Sequence, residues 1–213
     1  MIASTRLACL IWQPGLHMDD GWWDVLGLSA WKAAYRRHPA CRLHVDRLLI
    51  ERRGWPSVAR TRGCVPAESD VANTILNLLP NLRRVALAYG LRWLGCPDYL
   101  LLGTYRRALS RWLDAWQCDR LLLMRRDWPS SPEFPSESIA SAALAVTGAC
   151  LDAASLASPI SDSDAVTAHM AARILLPPPD NAPTLPSDLP VVDDIWPRLA
   201  ALERMLCMSS TMH

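Results

Sequence analysis

Histidine and acidic side chains at two places in this sequence have the types and spacing that could bind a metal. His17 lies close to Asp19 and Asp20, and an imidazole beside two carboxylates can ligate a transition metal. That spacing matches no standard site, and either aspartate can instead cap a helix beginning beside it. Asp162 and Asp164 resemble part of a calcium loop but lack its glycine and bidentate glutamate. Helix capping is therefore the better interpretation of both acidic pairs.

The chain contains residue types that can carry out nucleophilic catalysis, but they form no recognisable motif. Seven cysteines and five histidines are scattered, and no two cysteines form a C-x-x-C pair. Their odd number and wide spacing are typical of reduced thiols buried in a cytosolic protein. The sequence has no phosphate loop, dinucleotide-binding glycine motif, nucleophile elbow or zinc-protease motif. We therefore predict a protein that is not an enzyme and has no metal or cofactor, and keep a helical enzyme with an unrecognised site as the third hypothesis.

Arginine is the most distinctive charged residue, because Lys32 is the only lysine among 22 basic residues. High-GC coding produces such a bias, but a planar guanidinium also suits bidentate contact with carboxylates. Adjacent arginines are either solvated helix faces with acidic partners in the chain or a docking surface for an acidic protein. A nucleic-acid-binding regulator is the alternative hypothesis, which a pI of 7.6 and the lack of lysine disfavour. The pairs are Arg36-Arg37, Arg52-Arg53, Arg83-Arg84, Arg106-Arg107 and Arg125-Arg126.

The charges are unevenly divided along the chain although the net charge is only +1. Residues 1–126 contain 19 basic and 10 acidic residues, a net of +9. Residues 127–213 contain 3 basic and 11 acidic residues, a net of −8. This asymmetry predicts two electrostatically different surfaces.

Ten tryptophans against one phenylalanine indicate both a large core and a binding surface. Tryptophans within apolar stripes are predicted to be core residues, and these are Trp23, Trp93, Trp112 and Trp116. Trp128 and Trp196 lie at proline-flanked helix ends, where we expect one ring face to stay open. The predicted protein-binding residues are Arg83, Arg84, Arg106, Arg107, Trp128 and Trp196.

Periodicity and proline punctuation predict that the elements carrying these side chains are all helices. Helices are expected over residues 20–28, 29–37, 39–53, 69–79, 81–93, 99–126 as two pieces broken near Gly103 or Asp114, 136–156, 161–176 and 192–207. The expected inward-facing residues include Trp22, Trp23, Leu26, Leu43, Val45, Leu48, Leu49, Leu109, Leu113 and Trp116. Residues 138–157 come closest to the length of a membrane span, but Asp152 and many small side chains favour a buried central helix packed closely on a neighbour.

The predicted fold class is all-α, a single compact multi-helix domain of about eight to ten helices. Residues 1–176 form the helical domain, and residues 177–190, which contain six prolines, form a stiff extended linker. Residues 191–213 form a C-terminal amphipathic helix with apolar residues at heptad a and d spacing, too short for a coiled coil. We expect it to pack on the same domain, with a partner protein as the alternative.

The order of these segments resembles the accessory K component (SctK) of the bacterial type III secretion sorting platform. A Leu/Arg-rich helix ends in Leu94-Gly95, and a second such helix follows through residues 99–109. Trp128-Pro129, the small-residue helix at 136–156, the proline-rich break at 177–190 and the helix at 192–207 continue the order. The resemblance covers about two-thirds of the chain, mostly after residue 70, and residues 1–70 match in character only.

The resemblance implies a non-catalytic adaptor of the injectisome, a virulence-associated protein-transport machine. Its expected partners are the cytoplasmic forkhead-like domain of the inner-membrane ring protein and the C-ring-like pod protein of the sorting platform. It implies no nucleic-acid partner and no membrane insertion. The expected location is cytoplasmic, at the face of the inner membrane and held there through protein contacts.

Overall fold

The computed structural model describes residues 2–54, 69–124, 128, 130–157, 163–178 and 195–207 of the 213-residue chain. Across these residues there are twelve α-helices, one 3-10 helix and no strand, which confirms the all-α fold class. The 3-10 helix is Pro14–Leu16, and the α-helices are α1 (Ile2–Trp12), α2 (Trp22–Val25), α3 (Ser29–Arg37), α4 (Pro39–Arg52), α5 (Asp70–Leu78), α6 (Leu82–Leu94), α7 (Asp98–Leu101), α8 (Gly103–Leu109), α9 (Ala115–Leu123), α10 (Ile139–Ala157), α11 (Ser163–Arg173) and α12 (Ile195–Cys207).

Polar caps explain why several helix starts lie close to the predicted residues. Ser69 Oγ accepts a hydrogen bond of 3.3 Å from the backbone of Ala72 at the start of α5. Asp114 and Gln117 form a reciprocal capping box at the start of α9. Gly103 and Asp114 were alternative break points, and a helix begins at or beside each, so this region contains three helices instead of two. Together with the unpredicted α1, this raises the number of helices in the described residues above the expected eight to ten.

Two compact units make up the chain, and each combines two separate stretches of sequence. Unit 1 is Met1–Leu79 with Ser158–Asn181, and unit 2 is Pro80–Ala157 with Ala182–His213. Unit 1 contains 11 basic and 10 acidic residues and unit 2 contains 11 of each, so the charge asymmetry along the sequence is not an asymmetry between the units. The domain boundaries proposed at 176 and 190 stay a prediction, and most of the proline-rich linker lies outside the described residues.

The core of unit 1 is built on α2, α3 and α4, with Trp23, Tyr35, Val45 and Leu49 buried. Val45 and Leu49 confirm the predicted inward face of α4. Leu43 was expected on that face, but its side chain is 64% exposed. Two residues rotate a helix by about 200°, so Leu43 lies nearly opposite Val45.

Trp22, whose ring contacts two arginines, connects α2 to the residues that follow α11 within unit 1. The indole Nε1 of Trp22 donates to the carbonyl of Leu176 at 2.9 Å. The Arg53 guanidinium lies 4.1 Å from the Trp22 ring centroid and that of Arg173 lies 5.3 Å from it. Arg173 is itself buried and donates from Nη1 to the carbonyl of Pro177 at 2.7 Å. Stacking and backbone hydrogen bonds therefore compensate for burying the polar groups of Trp22 and Arg173.

A buried carboxyl group joins α3, α4 and the 3-10 helix in the same unit. The Tyr35 hydroxyl donates to Asp46 Oδ1 at 2.9 Å, and the backbone N–H of Gly15 donates to the same oxygen at 3.1 Å. Burial is the largest influence on Asp46 and raises its pKa above 3.8, although both hydrogen bonds oppose the rise. Burial and the nearby carboxyl group raise the pKa of Tyr35 as well, so the phenol remains the donor.

The raised pKa of Asp46 predicts a stability that declines with rising pH. The folded state holds the Asp46 proton more tightly than the unfolded chain, so this residue's stabilising contribution is complete below about pH 4 and is lost as the pH rises through the folded-state pKa. We expect Asp46→Asn to remove this part of the pH dependence. Urea unfolding of both proteins across that interval measures it, with Asp70→Asn at an exposed position of unit 1 as the control. Equal slopes for the wild type and Asp46→Asn would contradict the prediction.

The core of unit 2 is centred on α10, which packs more extensively on α6 than any other two helices of the described ranges pack on each other. Thr147 Oγ1 donates to the carbonyl of Ala86 at 2.6 Å across this contact. Gly90 lies so close to α10 that a Cβ placed on it would be 1.9 Å from the carbonyl oxygen of Ala143. The prediction of a small-residue central helix in close contact with a neighbour is confirmed.

Within the described ranges, one helix is long and apolar enough to cross a membrane by length and composition. It is the segment Ile139–Leu156 of α10, with a mean hydropathy of 1.6 and 61% of its residues buried. A core helix of a folded domain has the same composition, and the contact with α6 accounts for the apolar face of this one.

Candidate interaction surfaces

The outer side of α9 presents aromatic, aliphatic and charged side chains in one stripe. Trp116, Asp119, Arg120 and Leu123 follow each other at helical i, i+3, i+4 and i+7 spacing and so share a face. Trp116 is 40% exposed and Leu123 is 85% exposed. The Arg120 guanidinium lies 4.9 Å from the Trp116 ring centroid, a cation–π contact. This stripe is an apolar surface with charges at its edge.

The arginine pair of α8 adds to this stripe. Arg106 forms an ion pair with Asp119 and donates from Nε to the carbonyl of Leu100 at 2.6 Å. Arg107 is exposed, and its Nε donates to the carbonyl of Gly103 at 3.2 Å. The ion pair holds Arg106 against α9, and the hydrogen bond to Gly103 holds Arg107 along its own helix, α8.

Two exposed leucines directly follow Leu100, the residue whose carbonyl accepts from Arg106. Leu101 and Leu102 are both more than 45% exposed. The Arg106–Trp116 surface is defined here as Leu101, Leu102, Arg106, Arg107, Trp116, Asp119, Arg120 and Leu123.

The chemistry of the Arg106–Trp116 surface is that of recognition. Exposed tryptophan and arginine are the residues that most often carry the binding energy of protein interfaces. The ion pair between Arg106 and Asp119 has an exposed carboxylate and contributes little to stability, so the guanidinium can be shared with a partner's carboxylate at small cost. The surface suits a partner that offers an apolar patch with acidic groups at its rim.

A second exposed aromatic lies in unit 1, on α3 and α4. Trp31 is 44% exposed, and its ring meets His44 edge-on with centroids 6.5 Å apart. Leu43, next to His44, is also exposed, while Lys32 and Arg36 both contact Asp20, at 3.2 and 2.5 Å. The α3–α4 surface is defined here as Trp31, Lys32, Arg36, Leu43 and His44.

The other predicted binding residues differ in burial. Arg83 and Arg84 are half-buried in the first turn of α6, and Trp128 is half-buried. Trp196 was expected to keep one ring face open, but it is only 4% exposed. It lies three residues before Leu199 on the buried stripe of α12, so the stripe includes it. Whether these residues bind a partner stays a prediction.

The four tryptophans expected in the core also differ in how deeply they are buried. Trp23 is buried as predicted, and Trp93 and Trp112 are half-buried. Trp116 was predicted inward because it continues the spacing of Leu109 and Leu113. The break at Asp114 resets the phase, so Gln117, Cys118 and Leu121 face inward instead. The four-residue spacing of Trp116 and Arg120 after a capping box is the sequence signal that would have identified this stripe.

The acidic residues near His17 have structural partners. Asp19 Oδ1 accepts from the backbone N–H of Gly21 at 3.1 Å, beside the start of α2, and Asp20 binds Lys32 and Arg36. Within the ranges described, no group of three or more His, Cys, Asp and Glu side chains is placed to hold a metal ion. Asp162 lies outside the described residues.

Three of the cysteines within the described ranges are buried, and burial disfavours activation of their thiols as nucleophiles. Burial raises the pKa of Cys150 to about 11 and also raises the pKa of Cys96 and Cys118. A reactive cysteine needs a lowered pKa, because the thiolate is the nucleophile. These three side chains act as small apolar residues of the core of unit 2.

Comparison with known proteins identifies the family of this chain. A family model described as a type III secretion system subunit matches residues 5–178. No curated protein and no solved structure matches the chain significantly. The matched range begins within α1 and ends at residue 178, before α12.

Proposed function

Because the chain belongs to the family of type III secretion system subunits, we propose that it is a non-catalytic adaptor of that system's sorting platform. In this proposal it bridges the cytoplasmic domain of the inner-membrane ring protein to the C-ring-like pod protein. It works at the cytoplasmic face of the inner membrane, where protein contacts hold it.

An exposed apolar stripe edged by fixed arginines is the observation that carries the proposal. A chain in water gains nothing from exposing Trp116 and Leu123 on one helix face, because burying them would stabilise the fold by about 1.5–3 kcal/mol each. Large exposed apolar patches with a polar rim mark protein-binding sites. The Arg106–Trp116 surface has this character, and we assign it to the pod protein.

A bridging protein needs a second, chemically different surface for its other partner. The α3–α4 surface meets this requirement, since it belongs to the other unit and combines Trp31 and His44 with exposed Leu43. Its cations Lys32 and Arg36 both contact Asp20, so a single carboxylate offsets part of their charge. We assign it to the ring protein.

Binding measurements with single variants test both assignments. We expect Trp116→Ala, and separately Arg107→Glu, to weaken binding of the purified pod protein by about tenfold or more, because each changes an exposed interface residue. Neither change should alter the circular dichroism spectrum, since both side chains are exposed. Isothermal titration calorimetry measures the affinity.

Trp31→Ala is the matched control, because it removes an exposed tryptophan from the other unit. It should weaken binding of the ring protein's cytoplasmic domain and leave binding of the pod protein unchanged. If the wild-type protein binds neither component, the adaptor function is wrong. If it binds both but Trp116→Ala and Arg107→Glu have no effect, the function stands and the assigned surface is wrong.

A further inference from the structure

Two tyrosines hold the backbone of residues 130–137, here called the 130–137 loop, which lies between α9 and α10 in unit 2. The hydroxyl oxygen of Tyr99 accepts hydrogen bonds from two successive backbone N–H groups, those of Glu133 at 2.8 Å and Phe134 at 3.1 Å. The Tyr105 hydroxyl donates to the carbonyl of Phe134 at 2.9 Å. The backbone in the middle of the loop is therefore bound to side chains of α7 and α8.

Further contacts restrict both the tyrosines and the loop. Tyr99 is only 1% exposed, and its ring meets that of Tyr105 edge-on with centroids 5.0 Å apart. At the start of the loop, the N–H of Ser130 donates to the carbonyl of Gly95 at 3.2 Å. The loop also contains two prolines, whose rings fix the backbone angle φ. A loop with its backbone held in this way loses little conformational freedom when a partner binds it.

The side chains of the loop are mostly exposed although its backbone is held. The exposed ones are Ser131, Pro132, Glu133, Pro135 and Glu137. A proline ring offers apolar area with no side-chain entropy to lose, and a carboxylate accepts charge-assisted hydrogen bonds. Binding residues lie disproportionately on loops that a rigid scaffold positions. The 130–137 loop therefore has the properties of a preformed ligand for another protein.

The helix α8 connects the 130–137 loop to the Arg106–Trp116 surface. Tyr105 and Arg106 are consecutive in α8, so their side chains leave the helix about 100° apart. The Tyr105 hydroxyl contacts the loop, while the Arg106 guanidinium pairs with Asp119 on α9. The loop and α9 therefore lie on neighbouring sides of α8, and one partner can contact both.

We infer that the 130–137 loop is a second contact with the pod protein, in which Pro132 packs on an apolar side chain of the partner and Glu133 binds a basic one. The inference rests on the proposed function and adds to it the chemistry of a second part of the interface. The Arg106–Trp116 surface suits acidic groups and Glu133 suits a basic group, and opposite charges at two fixed points determine the orientation of docking. Tyr99 and Tyr105 are the positioning residues of this contact.

Isothermal titration calorimetry of the full-length protein with the purified pod protein tests the contact. We expect Glu133→Ala to weaken binding by about fivefold or more, because it removes the carboxylate and keeps the backbone N–H that Tyr99 accepts. Glu51→Ala makes the same change of charge at an exposed position of α4 in unit 1, and it should leave the affinity unchanged. Equal losses in the two variants would show a response to net charge only, which would overturn the inference.

A hydroxyl deletion tests the positioning role without altering any exposed side chain of the loop. Tyr105→Phe removes the donor to the Phe134 carbonyl, so the amide hydrogens of Glu133 and Phe134 should exchange with solvent about threefold or more faster, as measured by nuclear magnetic resonance. The same variant should weaken binding of the pod protein by about threefold or more. Tyr89→Phe, a buried change elsewhere in unit 2, is the matched control and should alter neither quantity.

The outcomes separate this inference from the proposed function. If the wild-type protein does not bind the pod protein, both are wrong. If it binds and Trp116→Ala weakens binding, but Glu133→Ala and Tyr105→Phe do not, the function stands and the loop contact is wrong. Faster amide exchange in Tyr105→Phe with unchanged affinity would show that the tyrosines only stabilise the fold, which would also overturn the inference.

Discussion

Gly90→Ala is expected to lower the free energy of unfolding of unit 2 by about 3 kcal/mol or more, the upper range for adding one methyl group to a packed core. The added Cβ would lie 1.9 Å from the carbonyl oxygen of Ala143 and 2.5 Å from its carbonyl carbon. Both atoms are backbone, so no side chain can rotate away and α10 must move as a whole. That movement would lengthen the hydrogen bond from Thr147 to Ala86.

Gly103→Ala is the matched control for this prediction. A Cβ at Gly103 would meet nothing within 4 Å, and its backbone does not have the positive φ that favours glycine. Alanine is the better helix former by about 1 kcal/mol, so the stability of this variant should stay equal or rise slightly. Urea unfolding followed by circular dichroism measures both variants. A Gly90→Ala protein as stable as Gly103→Ala would disprove the close contact of α6 with α10.

Trp22→Ala is expected to destabilise unit 1 by about 3–5 kcal/mol, the usual cost of removing a buried tryptophan. The substitution removes the ring that the guanidinium groups of Arg53 and Arg173 both contact. It also removes the indole hydrogen bond to Leu176, and Arg173 then stays buried without the ring that it stacks on. A polar group that loses its contacts while remaining buried adds to the loss of apolar contact.

Two further variants separate the ring from its hydrogen bond. Trp22→Phe keeps an aromatic face for the arginines and loses the indole donor, so it should cost about 1 kcal/mol beyond the change in volume. Trp31→Ala removes an exposed tryptophan from the same unit and should change the unfolding free energy by less than about 1 kcal/mol. Thermal and urea unfolding of the three proteins give the comparison. Equal losses for Trp22→Ala and Trp31→Ala would contradict the role assigned to Trp22.

Local signals made much of the fold predictable from the sequence. Ser69, Asp114 and the prolines between helices act within a few residues, so they mark helix ends without knowledge of the rest of the chain. The small side chains of residues 138–157 indicated close packing for the same reason. The resemblance to a type III secretion component rested on this order of helices, and the match over residues 5–178 confirms the secretion family.

Which face of a helix is buried was predicted less well. Trp116 and Trp196 exchanged their expected places, one exposed and the other in the core. The helix break at Asp114 changes the phase of the apolar spacing at Trp116, and Trp196 continues the apolar spacing of α12. Arg106 and Arg107 were predicted as docking residues from their charge, which stays a prediction. Only the structure showed that Arg106 pairs with Asp119 on the helix face that carries Trp116 and Leu123.

The hydrogen bond between Trp22 and Leu176 spans 154 residues, and this separation has a consequence for biosynthesis. At translation rates of about 5–20 residues per second, Trp22 leaves the ribosome roughly 8–30 s before Leu176 does. The segment Pro80–Ala157 emerges within that interval. It can pack α6 against α10 before the amino-terminal segment of unit 1 meets residues near Leu176. A nascent chain released before residue 176 would therefore leave the Trp22 indole with no acceptor and expose it to proteases and chaperones.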